Sequence, residues 1–331
     1  MKIKMISFTN RGYELGQKIA ASLSSHETEL IFKGRMQEGR TEDMPVPAPE
    51  KLSDICGSAF ERGIPLVFIG ASGIAVRSIA PFVRDKLQDP PVLDIDELGR
   101  YVIPLLSGHV GGANELAAEI AASIGAEPVI TTATDINDAF PVDVFAKENG
   151  LRIVNRDGIA RVSTSALAGK PVTISIKDYP PQEHVDVVVT DEPVLAGKAS
   201  LVLSPKKYAL GIGCRRGKPF EELRDFALRI LEENGIEVSD VGCLATIDIK
   251  KDEEGLKALS QAWRIPLITF DAAVLTRVQG DFSSSGTVLS KVGVDNVCER
   301  AAAAAAGAGY ELIVRKTAEN GMTAAVAAVG R

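Results

Sequence analysis

Apolar residues in the first third of the chain come in short runs that are separated by glycine turns and helical patterns. The run Leu66–Ile69 is typical of a buried strand, Gly70-Ala71-Ser72-Gly73 follows it, and a helical pattern begins at Ile74. The next apolar run, Tyr101–Leu106, predicts another strand. Strands that alternate with helices indicate a parallel sheet whose faces are covered by helices. We therefore expect a Rossmann-like α/β domain at the start of the chain.

The segment from Glu115 to Ile124 has the spacing of a helix. Leu116, Ile120 and Ile124 recur every four residues on one face, and Gly125 stands where a helix ends. A short strand is predicted after it, at 128–132. The polar, proline-containing segment from Gly34 to Glu50 is interpreted as a loop or linker.

The second part of the chain is richer in strand patterns. Apolar and β-branched runs predict strands at Pro171–Ile176, Val185–Val189 and Leu201–Leu203, and the segments 178–181 and 191–193 suit turns. A small strand-rich domain is expected. The third part returns to α/β alternation, with predicted strands at 208–213, 238–249 and 266–270 and predicted helices at 220–234, 253–263 and 301–306. The predicted domains are 1–132, 133–205 and 206–331.

Composition narrows the class of protein. Of 331 residues, 45% are hydrophobic and 24% charged, which is typical of a packed multi-domain protein. The net charge of -7 argues against nucleic acid and anionic membranes as partners. The stretch Met1–Phe8 reads as a strand and not as a signal peptide, and no apolar run approaches the roughly 20 residues needed to span a bilayer. The four cysteines are widely separated, which favours free thiols in the cytoplasm over a zinc site.

The turn after the strand Tyr101–Leu106 carries the strongest candidate chemistry, in the stretch Ser107–Glu115. Glycines within it permit positive φ and close approach of a ligand, and the helix that follows favours an anion at its start. His109 titrates near neutrality, so it can act as general base, general acid or metal ligand. Glu115 can cap the helix or take part in proton transfer. The candidate ligand-binding residues of the stretch are Ser107, Gly108, Gly111, Gly112 and Asn114. The alternative is an ordinary glycine-rich connection with an Asn cap.

Two further turns of the first domain are candidates. Gly70, Ser72 and Gly73 form a second anion-receptive turn, and Arg77 lies one helical turn later. Arg84 is better explained as a solvated arginine, and Arg77 is equally open to that interpretation. Thr132 and Asp135 belong to a hydroxyl-rich turn in which Asp135 could hold His109 in one tautomer or bind substrate. An Asx turn or a helix cap explains Asp135 equally well.

In the third domain, Gly211-Ile212-Gly213 is followed by Cys214 and Arg215, which form a local basic turn. Cys214 is more often a packing residue than a nucleophile in such a place, since no histidine lies nearby in sequence. Glu299 is either a site acid or a helix cap residue.

Several of these stretches together resemble the cobalt-precorrin-5A hydrolase family of anaerobic cobalamin biosynthesis. They are 74–81, 89–92, the long stretch Ile103–Ala117 with its Ser-Gly-His-Val-Gly-Gly-Ala-Asn-Glu, 131–135, 211–215, 250–253 and 292–299. The resemblance covers essentially the whole chain in the three-part order of that family. A domain similar to its third part occurs alone in the oxygen-dependent pathway.

The resemblance implies a reaction and a substrate. In this family water opens a δ-lactone between a ring-A acetate and the methylated C20 bridge carbon, and C20 then leaves with its methyl group as acetaldehyde to give cobalt-precorrin-5B. The substrate carries its own cobalt, so no cofactor of the protein itself is expected. The expected partner is the cobalt-precorrin intermediate, with transient contact to neighbouring pathway enzymes and a homodimer left open.

The proposed roles combine the resemblance with the physical argument. His109 would serve as general base, with Glu115 or Asp135 to orient it, or as an axial ligand of the substrate's cobalt. Backbone N–H groups around Gly111 and Gly112 would stabilise the oxyanion. The substrate-binding set is Gly70, Ser72, Gly73, Arg77, Ser107, Gly108, Gly111, Gly112, Asn114, Thr132, Cys214, Arg215 and Glu299.

Two rival interpretations have different consequences. A nucleotide- or phosphate-binding α/β enzyme would use the Gly70–Gly73 turn, although neither Gly-x-Gly-x-x-Gly nor Gly-Lys-Ser/Thr occurs there. A non-catalytic corrinoid carrier would need anion sites but no general base. Thermal stabilisation by a corrinoid and not by nucleotides would exclude the first rival, and replacement of His109 separates the carrier from the hydrolase.

Overall fold

The computed structural model describes residues 1–34, 45–176, 183–192, 194, 197–283 and 293–330. Their contacts divide the chain into two units, Met1–Lys147 with Asn155–Ile174, and Glu148–Val154 with Ser175–Arg331. Most of the predicted loop 34–50, the predicted turn 178–181 and Pro193 lie outside the described residues. No helix in the described ranges is long and apolar enough to cross a bilayer.

The first unit is built around a six-stranded sheet of order β2-β1-β3-β4-β5-β6. Its strands are β1 (Lys2–Ser7), β2 (Glu27–Phe32), β3 (Leu66–Ile69), β4 (Val92–Ile95), β5 (Tyr101–Leu106) and β6 (Glu127–Pro128). Its helices are α1 (Asn10–Ser22), α2 (Leu52–Glu61), α3 (Ser72–Ile79), α4 (Ala113–Ile124), α5 (Ala133–Ile136) and α7 (Asp157–Leu167), and α6 (Val142–Glu148) begins in this unit. The strand predicted at 128–132 is shorter and begins earlier, as β6.

Helices cover both faces of this sheet, as the continuous apolar run of β3 predicts. All four residues of β3 are buried. On one face Val67 and Ile69 pack with α1 and α4 residues such as Ile19 and Leu116. On the other face Leu66 and Phe68 pack with α2 and α3.

The last two strands of this sheet, β5 and β6, run opposite to the other four. β1, β2, β3 and β4 are parallel, but β5 is antiparallel to β4, with Val92 opposite Leu106 and Ile95 opposite Val102. The reversal follows from the short connection between β4 and β5, since a parallel pair needs a crossover of a dozen or more residues. Asp96 shapes that connection by accepting hydrogen bonds from the N–H groups of Leu98, Arg100 and Tyr101. The end of β5 therefore lies at the edge of the sheet where β4 begins.

The second unit holds two sheets. The four-stranded sheet has the order β7-β10-β9-β8 and is formed by β7 (Leu151–Ile153), β8 (Ile174–Ile176), β9 (Val185–Val189) and β10 (Ala199–Pro205). The five-stranded sheet has the order β13-β12-β11-β15-β14. Its strands are β11 (Tyr208–Cys214), β12 (Val241–Ile247), β13 (Leu267–Phe270), β14 (Glu311–Glu319) and β15 (Met322–Ala328), with helices α8 (Phe220–Glu233), α9 (Glu254–Trp263), α10 (Ala272–Arg277) and α11 (Val297–Ala306).

Close packing of α11 on β11 requires glycine at position 211. A Cβ atom placed there would lie 1.9 Å from the carbonyl oxygen of Cys298. No heavy-atom contact tolerates that distance, so only glycine allows the helix to approach the strand so closely.

Candidate active site around His109

The loop that follows β5 turns sharply into α4. Ser107 adopts φ +58° and Gly112 adopts φ +84°, both in the left-handed region. A Cβ atom at Gly111 would lie 2.5 Å from the Ser107 carbonyl oxygen. Glycine is thus needed at 111 for space and favoured at 112 for its φ angle.

Three backbone N–H groups of this turn donate hydrogen bonds to carbonyl groups of the same turn. Gly112 donates to the His109 carbonyl at 2.9 Å, Ala113 to the Ser107 carbonyl at 3.1 Å and Asn114 to the Gly108 carbonyl at 3.0 Å. The N–H of Gly112 already binds a backbone carbonyl, which does not favour it as one of the predicted oxyanion donors around Gly111 and Gly112. The turn gains rigidity instead, and that rigidity fixes the position of His109.

Carboxylates lie on both sides of the His109 ring. The Nε2 atom of His109 is 2.8 Å from Oδ2 of Asp135 and 3.0 Å from the hydroxyl of Thr134. The Nδ1 atom lies 3.6 Å from Oδ1 of Asp143. We call His109, Asp135 and Asp143 the His109 cluster.

Asn114 ties this cluster to the helix start. Its side chain is 8% exposed, and its Nδ2 donates to Oδ2 of Asp135 at 2.6 Å and to the Thr132 hydroxyl at 3.1 Å. The helix cap position belongs to Gly112, not to Asn114. Both side-chain amide protons of Asn114 therefore donate to the turn that contains Thr132 and Asp135.

The charges of the cluster support one another. The Asp143 carboxylate, 3.6 Å from Nδ1, raises the pKa of His109 most; burial works against it, and Asp135 adds to the rise. Burial would raise the pKa of Asp143, but the neighbouring His109, the N–H of Val144 and the charge of Lys86 hold it below its ordinary value. The two carboxylates therefore stabilise the imidazolium form of His109 relative to a free histidine.

The members of the cluster differ in access to solvent. The side chain of Asp135 is 37% exposed, whereas those of His109 and Asp143 are 13% and 12% exposed. Oδ2 of Asp135 accepts from both His109 and Asn114, which leaves Oδ1 on the accessible side chain. Asp135 is thus the member that a ligand can reach, and His109 can supply a proton behind it.

Sequence reasoning missed two neighbours of His109 and overrated a third residue. Asp143 stands in the first turn of α6 after Pro141, where an acid is an ordinary helix-start residue, so its sequence context gave no signal. Thr134 is buried beside the predicted Thr132 and Asp135. Glu115 is exposed on α4 and makes no contact with His109 in the part of the chain that the structure describes.

The predicted residues of the Gly70–Gly73 turn lie beyond the opposite end of the strands from the His109 cluster. Gly70, Ser72, Gly73 and Arg77 follow the carboxyl end of β3, whereas the His109 loop follows β5, which runs the opposite way. Four strand residues separate the two edges, a distance of about 13 Å. The structure does not bring these residues to the His109 cluster.

The remaining predicted residues belong to the second unit. Cys214 ends β11 partly buried, and burial raises the pKa of its thiol, which argues against a nucleophile. The side chain of Arg215 lies against Gly321. The backbone N–H of Arg215 donates to the Gly321 carbonyl at 2.9 Å. Each of the four cysteines, all within the described residues, is a free thiol.

Glu299 is a structural residue and not a site acid. It is fully buried, and its carboxylate accepts four hydrogen bonds of 2.7–3.0 Å. The donors are the N–H and hydroxyl of Ser283, Nδ2 of Asn296 and the N–H of Lys316. Asn296 caps α11 in return by accepting from the Glu299 N–H. These contacts favour a structural role for Glu299 over the predicted substrate-binding role, because no oxygen of its carboxylate is accessible.

The fold and the His109 cluster together define a three-sheet α/β protein equipped for proton transfer at one sheet edge. Three family models match it in sequence: "Cobalamin synthesis G N-terminal" over residues 54–135, "Cobalamin biosynthesis central region" over 140–211 and "Cobalamin synthesis G C-terminus" over 208–327. The chain belongs to the cobalt-precorrin-5A hydrolase family.

Relatives span the chain in full and in part. Cobalt-precorrin-5A hydrolase of Salmonella typhimurium is 33% identical over 325 residues, which cover 91% of this chain and 90% of that protein. The protein of the same name from Priestia megaterium is 30% identical and covers 96% of this chain and 92% of its own length. Protein CobE of Sinorhizobium sp. is 34% identical over 119 residues, 36% of this chain and 77% of that protein.

Proposed function

We propose that this protein is a cobalt-precorrin-5A hydrolase, which opens the δ-lactone of cobalt-precorrin-5A with water and releases the methylated C20 carbon as acetaldehyde. The observation that carries the proposal is the similarity to curated hydrolases of this name along nine tenths of both chains. The His109 cluster adds a group of titratable side chains that suits acid–base chemistry. The cobalt belongs to the substrate, so the proposal needs no resident cofactor.

In the proposed reaction Asp135 meets the attacking water. Its carboxylate is the accessible member of the His109 cluster and is held in place by His109 and Asn114. Oδ1 would take a proton as the water oxygen bonds to the lactone carbonyl carbon. The bond between the carbonyl carbon and the ring oxygen of the lactone then breaks, and that oxygen, which stays on C20, must receive a proton.

His109 supplies that proton in this proposal. Its imidazolium form is favoured by Asp143 on one side and Asp135 on the other. The same ring can then take the hydroxyl proton back when C20 departs as the carbonyl of acetaldehyde, while the electron pair of the broken carbon–carbon bond stays on the macrocycle. Ligation of the substrate's cobalt is less favoured, because Nε2 would first have to lose its proton and leave Asp135.

The test is acetaldehyde release from cobalt-precorrin-5A by the wild-type protein and by His109→Gln. Gln keeps hydrogen-bonding capacity but cannot carry a titrating proton, so acetaldehyde release should fall by about 10²- to 10⁴-fold. His26→Gln is the matched control, since His26 also binds a carboxylate, Glu119, at 3.0 Å, but lies outside the cluster.

Two outcomes would contradict the proposal. A wild-type protein that binds the corrinoid and releases no acetaldehyde would be a carrier. A wild-type protein that is active together with a fully active His109→Gln variant would retain the hydrolase but remove His109 from its chemistry.

A further inference from the structure

The hydroxyl group of Thr134 lies beside the His109 ring and takes no part in the steps proposed for Asp135 and His109. Thr134 belongs to α5, one residue before Asp135, and is only 8% exposed. Its Oγ1 is 3.0 Å from Nε2 of His109, and the hydroxyl has no second hydrogen-bond partner within the ranges that the structure describes. The buried hydroxyl is therefore directed at one nitrogen of the ring.

Nε2 of His109 has two polar neighbours but carries at most one proton. Oδ2 of Asp135 lies 2.8 Å from it and Oγ1 of Thr134 lies 3.0 Å from it. An ionised carboxylate only accepts hydrogen bonds, whereas a hydroxyl both accepts and donates them. Both neighbours can accept from a protonated Nε2, but only Thr134 can donate to Nε2 once the proton has left.

The surroundings of the other ring nitrogen favour loss of the proton from Nε2. Nδ1 lies 3.6 Å from Oδ1 of the buried Asp143, whereas Nε2 lies beside the accessible Asp135. In the described part of the chain, the charged groups that face the ring are Asp135 on α5 and Asp143 on α6, and the charge of Lys86, before β4, acts on Asp143. The negative charge of Asp143 holds a proton on Nδ1. A neutral His109 therefore turns the lone pair of Nε2 toward the Asp135 carboxylate, which is unfavourable unless a donor is present.

We propose that Thr134 is a positioning residue that reverses its hydrogen bond to Nε2 of His109 during turnover, accepting from the imidazolium and donating to the neutral imidazole. The inference rests on the proposed function, because it refines the acid–base role of His109 in that reaction. The proton that leaves Nε2 goes to the ring oxygen of the lactone, and its electron pair stays on Nε2. Thr134 keeps its own proton, and only its hydroxyl group rotates.

The first measurement needs no substrate. The chain has three histidines, so the NMR signals of the His109 ring are assigned by their absence in His109→Gln and are then titrated in the full-length protein. Thr134→Val keeps the β-branched shape but removes the donor to the neutral ring. The pKa of His109 should therefore rise, with the acid dissociation constant about 2- to 10-fold lower. In the wild type above that pKa, the ring ¹⁵N shifts should place the proton on Nδ1 and none on Nε2.

The second measurement is kcat for acetaldehyde release as a function of pH. In Thr134→Val the alkaline limb of the profile should move to higher pH, which is the opposite of what removal of the Asp143 charge should cause. Thr134→Ser retains the hydroxyl and should restore both the His109 titration and the pH profile. A merely structural role of Thr134 would change stability and leave both unmoved.

Thr190→Val is the matched control. Thr190 is 6% exposed, and its hydroxyl accepts from the N–H of Glu192 at 3.1 Å, away from the His109 cluster. Its His109 titration should equal that of the wild type. The proposal is overturned if Thr134→Val titrates like the wild type, if Thr134→Ser does not restore the titration, or if the neutral ring carries its proton on Nε2. A wild type that releases no acetaldehyde would instead remove the proposed function, and the titration would still show whether Thr134 donates to the neutral ring.

Discussion

The His109 cluster and Glu299 show two different uses of acidic side chains in one protein. Glu299 is fully buried and surrounded by four hydrogen-bond donors, and no histidine is among them. In the His109 cluster two acids share one histidine, and Asp135 remains partly open to solvent. A carboxylate whose acceptor positions are all filled maintains architecture, whereas an accessible acid beside a titratable ring can exchange protons with a ligand.

The largest expected effect is that of Asp135→Asn on turnover. Loss of the proposed base should lower acetaldehyde release by about 10²- to 10⁴-fold, measured as kcat/KM. Thermal stability should change little, because the side chain is exposed. Asp138→Asn is the control, since Asp138 is also exposed and its φ of +49° suits Asn. An Asp135→Asn protein with normal turnover would place the base elsewhere.

Glu299→Gln, in contrast, should lower the stability of the fold. The new amide group meets N–H donors, so at least one hydrogen bond to a charged acceptor is lost inside the second unit. We expect the free energy of unfolding to fall by about 1–3 kcal/mol in urea denaturation. Glu311→Gln, an exposed position on β14, should leave it unchanged. If Glu299→Gln kept full stability and lost activity, the structural assignment of Glu299 would fail.

The smallest effect concerns pH. Asp143→Asn removes the interaction that raises the pKa of His109 most, so that pKa should fall toward its ordinary value of 6.5. If turnover needs the imidazolium, its loss with rising pH should move to lower pH in the variant. A profile of kcat against pH between about 5 and 9 measures this shift. An unchanged alkaline limb would mean that His109 is not the group that titrates.

Stability should change with pH for the same reason. In the wild type, the raised pKa of His109 stabilises the fold below the ordinary histidine value of 6.5, and this contribution is lost as pH rises through the folded-state value. Asp143, with its lowered pKa, contributes above its ordinary value of 3.8, and this is lost as pH falls through its folded-state value. The contrast with Asp143→Asn should therefore be greatest between these limits.

Local patterns in the sequence predicted much of the fold. The apolar run of β3, the period of α4 and the glycine after it gave bounds that match the structure closely. Three strands were correctly expected in the second part of the chain. The α/β class of the ends and the strand-rich middle part are confirmed, while the exact domain boundaries at 132 and 205 stay predictions.

The features that the sequence did not predict depend on contacts between residues that are distant in the chain. The reversal of β5 places His109 and the Gly70–Gly73 turn at opposite edges, although both follow apolar strands and looked equivalent. Asp143 comes within reach of His109 only through the folding of α6, 34 positions later in the chain. A glutamate such as Glu299 has the same local context whether it binds a ligand or caps a helix, and only its burial decides.

The turn Asp96–Arg100 has a consequence for how this sheet can vary. Because β5 runs opposite to β3, the loops that follow these two strands lie at opposite ends of the sheet, and each can change length independently of the other. The length of the β4–β5 hairpin cannot vary in the same way. One residue more or fewer would turn the side chains of β5 to the opposite faces of the sheet and would displace the His109 loop that follows. Sequence variation in this protein should thus be broad in the loops that follow β3 and β5 and narrow in the five-residue turn Asp96–Arg100.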